Sequence, residues 1–73
     1  MPEEWIAYRV TFVYYSDPGP QRRTVSMEVS AHPLRSARRV KRQVWLMLLE
    51  KGYELDLSTG SIEAVGTDTV SEG

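Results

Sequence analysis

The chain has 73 residues, a formal net charge of −1 and 41% hydrophobic residues, which allows one domain spanning residues 1–73 and argues against disorder. It has no cysteine and one histidine, so disulfides, thiolate chemistry and a histidine-based metal cluster are excluded. No stretch approaches the roughly 20 apolar residues of a membrane span, nothing at the N-terminus reads as a signal peptide, and the absence of cysteine fits the cytoplasm.

Trp5 to Tyr15, WIAYRVTFVYY, is rich in aromatic and β-branched residues and predicts a strand. Ile6, Tyr8, Val10, Phe12 and Tyr14 share one face at period two. The other face, Trp5, Ala7, Arg9, Thr11, Val13 and Tyr15, is mixed, as expected of a central strand. SDPGPQ, Ser16 to Gln21, supplies Asp, Pro and Gly for a turn. RRTVSMEVSA then alternates cleanly, and the two strands predict an antiparallel hairpin.

At AHPL the period changes from two to 3.6. Ser30 or His32 as a cap, with Pro33 at the first helical position, predicts a helix from Pro33 to Lys51. Gly52 as C′ and Tyr53 after it fit a Schellman ending. YELDL, Tyr53 to Leu57, alternates and predicts a third strand; STG, Ser58 to Gly60, turns the chain, and SIEAV predicts a fourth. Residues 67–73 form a polar tail that is expected to fray. The predicted order is β–β–α–β–β, an α+β domain with one helix packed on one face of an antiparallel sheet.

The helix carries most of the functional signal. Projected at about 100° per residue, Ala37, Val40, Val44, Met47 and Leu48 form a core stripe with Leu34 at its edge. The opposite side carries Arg35, Arg38, Arg39 and Arg42, followed by Leu46 and Leu49 with Trp45 at the flank. Lys41 lies near the core boundary, where its stem can pack while its ammonium reaches solvent. No Asp or Glu lies between Glu28 and Glu50. Cations near a helix N-terminus oppose the macrodipole, and like charges at i,i+3 and i,i+4 repel. Exposed Trp and Leu forgo burial and invite association. Fold stability therefore does not account for this face. The plainer alternative is a solvated arginine face paired with Glu28 or with acids of the last hairpin, and an apolar half covered by a loop, the tail or the first hairpin.

Catalytic patterns are absent. His32 before Pro33 reads as a cap or loop residue, Glu54 and Asp56 as solvated residues of one strand face, and Asp17 as a turn residue. STGS lacks the flanks of a phosphate-binding loop. The chain is expected to be no enzyme and to need no cofactor or metal.

The sequence TVSMEVSAHPLRSARRVKRQV, a strand followed by an arginine-bearing helix, resembles many small bacterial and phage-encoded α+β proteins. That resemblance implies a small stand-alone phage or bacterial protein, a group that includes inhibitors of host or defence complexes.

Two functional expectations follow. The first is a non-catalytic protein-binding module whose partner-binding residues are Arg35, Arg38, Arg39, Arg42, Trp45, Leu46 and Leu49, since Trp and Arg are enriched at interface centres. The partner is an acidic protein surface or a second copy, in a homodimer packed through Leu46 and Leu49. The second is a nucleic-acid-binding domain that contacts phosphates through Arg22, Arg23, Arg35, Arg38, Arg39 and Arg42. The sequence pI of about 5.7 weighs against it, unless the acids all lie on the far side.

Overall fold

Two long alternating segments set the architecture. In the computed structural model, which describes residues 3–16 and 21–70, they form β1 (Glu3–Ser16) and β2 (Gln21–Ala31), followed by a helix α1 (Ala37–Glu50), a single 3₁₀ turn (Leu57–Thr59) and β3 (Ser61–Val70). The sheet order is β2-β1-β3 and both pairings are antiparallel, so β1 is the central strand, as the apolar residues on both its faces predict. The hairpin register runs without a break from Ile6 opposite Ala31 to Ser16 opposite Gln21. The turn expected between those strands falls mainly on residues 17–20, outside the described residues.

The helix covers one face of the sheet. Val10 and Phe12 of β1 are fully buried and pack with Val44, Leu48 and Leu55, while Tyr8, Ala31 and Val40 form an adjoining cluster. Each Val, Leu or Phe among them contributes about 1.5–3 kcal/mol by leaving water. The other face stays open and is mixed: Tyr15 is 66% exposed there, beside polar and charged residues. Thr11 and Ser26 share a hydroxyl hydrogen bond of 2.9 Å, and Arg9 bridges Glu28 at 3.0 Å and Glu63 at 3.5 Å. Ser30 donates to Asp68 across the small Ala7.

Expectations for the start of the helix, its cap, the third strand and the tail are corrected. The helix begins at Ala37 instead of Pro33, and its cap is Ser36, whose hydroxyl accepts from the Arg39 N–H at 3.3 Å. His32 to Arg35 instead form a turn, with Arg35 N–H bonded to the His32 carbonyl at 2.9 Å and Leu34 N–H to His32 Nδ1 at 3.1 Å. That reversal is what brings the chain from the end of β2 back over the sheet. Tyr53 to Leu57 is not a strand. Leu55 turns into the core, Asp56 caps the 3₁₀ turn by accepting from Ser58, and the sheet has three strands, giving β–β–α–β. Thr67 to Val70, assigned by composition to the tail, belong to β3 and face Glu3 to Ile6. A paired central strand offers them a ladder that polar composition alone does not reveal. Residues 71–73 lie outside the described residues.

The helix ends as its sequence predicts. Gly52 has φ +98°, its N–H reaches the Leu49 carbonyl at 3.0 Å, and Tyr53 N–H reaches the Leu48 carbonyl at 3.2 Å. This is a Schellman motif, with Tyr53 packed on the core that contains Leu48.

Within the core stripe, Val40, Val44 and Leu48 are buried as expected, but Ala37 is exposed, Met47 is 41% exposed and Leu34 is 90% exposed. Leu34 sits in the turn, before the helix begins. The stripe is therefore narrower than the projection predicts.

Candidate functional site

Ser36 starts the helix so that Arg38 and Arg39 fall in its first turn, where no acidic residue stands. Arg38, Arg39 and Arg42 are exposed on the side of α1 opposite the buried Val40, Val44 and Leu48, and Arg35 is exposed in the turn before it. Arg35 precedes the helix but folds back along it, donating to Gln43 Oε1 at 2.8 Å. With Arg39, Arg42, Gln43 and Leu46 it lines a shallow depression of about 410 Å³. Gln43 is a member of this face that the sequence reading passed over; its place one position beyond Arg42 is the available signal.

The acids do not neutralise this surface. The guanidinium groups of Arg38, Arg39 and Arg42 have no hydrogen-bond or ion-pair partner among the described residues. Glu28, an expected partner for them, is instead bound to Arg9 on the far face, together with Glu63. Hydrogen bonding to Glu28, reinforced by its charge, raises the Arg9 guanidinium above its already high value. Asp56, exposed beside Arg38 and Arg42 in a second depression, is held below the usual aspartate range by hydrogen bonds from the Ser58 N–H and hydroxyl.

The apolar half divides. Leu46 is 48% exposed and borders the arginines. Leu49 is half-buried. Trp45 is not an exposed anchor: its ring packs on the core and its indole N–H donates to the Leu55 carbonyl at 2.8 Å. The Tyr53–Leu57 loop covers it. Lys41 lies at the core boundary as projected, but its ammonium donates to the Gly60 carbonyl at 3.2 Å, fastening the helix to the start of β3.

Arg22 and Arg23 do not join this face. Arg22 pairs opposite Tyr15 on the open side of the sheet, whereas Arg23 pairs opposite Tyr14 on the helix side. The six arginines of the nucleic-acid reading therefore do not form one surface. Among the described residues no group of three or more His, Cys, Asp or Glu is placed to hold a metal, and no helix is long and apolar enough to cross a membrane.

No protein-family model matches the chain, and neither a curated protein nor a solved structure does.

Proposed function

We propose that this protein is a non-catalytic binding module, an adaptor or inhibitor of a larger complex, that docks an acidic surface of a partner protein on the outer face of α1. The observation that carries this reading is the row Arg38, Arg39 and Arg42, without acidic partners among the described residues, beside the exposed Leu46. Arg35, held along the helix by Gln43, extends it. Guanidinium groups bind carboxylates bidentately at little reorganisation cost, and an adjacent leucine supplies apolar area that a solvated face does not need. Trp45 supports this face from below and Leu49 borders it. The cytoplasm is the setting that goes with a cysteine-free chain.

A second reading, nucleic-acid binding, has one observation in its favour: Glu28, Glu63 and Asp68 lie on the sheet face opposite the helix, away from the arginines. The protein reading is preferred because Arg22 lies on that far face too, and because Leu46 has no use in a phosphate contact.

The test is affinity capture with the intact chain and with an Arg39→Glu/Arg42→Glu/Leu46→Ser variant, beside a gel-shift titration on short DNA and RNA at low salt. A protein retained by the first chain and lost by the variant supports the proposal. Identical captured sets overturn it. A gel shift whose affinity falls steeply with salt transfers the face to nucleic acid.

A further inference from the structure

The two edges of the sheet are not alike. β3 carries an irregularity: Ala7 faces Gly66 and Tyr8 faces Ala64, so Val65 is an extra residue that interrupts the β1–β3 ladder and bends this edge strand. A bulge of this kind protects an edge from pairing. β2 has no such device. It is a regular strand of 11 residues, without proline or bulge, whose outer side is unpaired among the described residues.

The helix also leaves β2 partly uncovered. Val25, Met27 and Val29 on its inner face are half-buried, while Val10 and Phe12 of the neighbouring strand are sealed. Met47, 41% exposed, stands on this side of the helix and with Val29 and Val44 lines a cleft of about 270 Å³.

We propose that β2 pairs antiparallel with the β2 of a second copy of this chain about a two-fold axis at Val25, extending each three-stranded sheet into one of six strands. The register follows from charge. Cross-strand neighbours share a face, so only same-face registers keep the apolar side together. Arg22 and Glu28 are the only charged residues on the open face of β2. Centring the axis on Val25, midway between them, sets Arg22 of each copy opposite Glu28 of the other, and Thr24 opposite Ser26. Moving the register by one same-face step in either direction sets Arg22 against Ser26 or Ser30.

Both charged groups are free to do this. Arg22 has no partner among the described residues, and Arg9 engages Glu28 only through Oε1, leaving Oε2 to accept. On the inner side Val25 meets its own copy and Met27 meets Arg23, whose stem is apolar. The two helices then lie on the same side of the joined sheet, with both arginine faces turned outward from it.

The experiment is sedimentation equilibrium on the intact chain, on Arg22→Glu, on Glu28→Arg and on an equimolar mixture of the two variants, with circular dichroism to show that each is folded. In Arg22→Glu every facing pair is Glu–Glu, and in Glu28→Arg it is Arg–Arg. In the mixed dimer every facing pair is Glu–Arg. The expected result is a dimer for the intact chain, a monomer for each variant and a dimer restored in the mixture. The chain has no cysteine, so a Val25→Cys variant adds a clean check. Directly opposed strand residues lie about 4.5–5.5 Å apart at Cα, within disulfide reach, and Val25→Cys is expected to cross-link two copies where Ser30→Cys does not. An intact chain that stays monomeric across its dilution series, or variants that dimerise as well alone as together, overturns the proposal.

Discussion

The indole of Trp45 donates its N–H to the carbonyl of Leu55 at 2.8 Å, and Leu55 itself is buried against the same core. This one bond determines how the outer helix face is to be tested. It makes Trp45 a clasp between the helix and the loop that leads to β3. Removing the ring opens a cavity and leaves a loop carbonyl without its partner. Trp45→Ala is therefore expected to destabilise the domain by about 2–4 kcal/mol, a large share of the roughly 4–11 kcal/mol expected for its length. Urea unfolding measures it, and a loss under 1 kcal/mol would show that the ring acts only as a surface group. Binding tests belong on Leu46, which can change without opening the core.

Arg38 and Arg39 occupy the first helical turn, where the macrodipole disfavours cations. If they serve a partner and not the fold, Arg39→Glu stabilises the domain. The expected gain is about 0.3–1 kcal/mol, or about 1–8 °C in Tm for a chain of this size. Differential scanning calorimetry at low salt reads it. A fall in Tm would mean that the arginines support the fold.

Gly60 follows the 3₁₀ turn with φ −76°, a conformation open to any residue, so its backbone does not demand glycine. Space does. A Cβ there would enter the ring of Phe12, which is fully buried. Gly60→Ala is expected to cost about 1–3 kcal/mol by displacing that ring, with changed chemical shifts of the Phe12 aromatic protons in the NMR spectrum as the companion sign. Unchanged stability would show that the turn shifts freely over the sheet.

Asp56 titrates below the usual aspartate range because Ser58 bonds its ionised form. A carboxylate whose folded pKa is depressed stabilises the fold fully above its unfolded pKa, and the contribution is lost as pH falls through the lowered folded value. The carboxyl shift of Asp56 in an NMR titration is expected to move later on acidification than that of an unstructured aspartate. Asp56→Asn removes that part of the acid sensitivity. A midpoint at or above the ordinary aspartate value contradicts the capping role.

What could be read from the sequence follows range of interaction. β1, β2 and the Schellman ending at Gly52 depend on local alternation and one backbone angle, and the sequence carries both. The start of the helix was harder to read, because Pro33 suits a first helical position as well as it suits a turn; the need to reverse direction after Ala31 decided between them. The alternation of Tyr53 to Leu57 mimics a strand. It fails as one because Leu55 is drawn into the core under Trp45, while Asp56 and Ser58 form their own turn. The polar tail pairs because a central strand waits for it, a long-range fact. The same holds for the site: the arginine row was visible at helical spacing, but the cover over Trp45 depends on the path of a distant loop.

The central claim is that the outer face of α1 is a docking surface for an acidic protein partner. The most direct measurement is affinity capture by three folded forms: the intact chain, Arg39→Glu/Arg42→Glu/Leu46→Ser, and Arg22→Glu, whose substitution lies on the opposite side of the sheet. The account predicts a protein retained by the intact chain and by Arg22→Glu and absent with the helix variant. Retention of the same proteins by all three forms would contradict it.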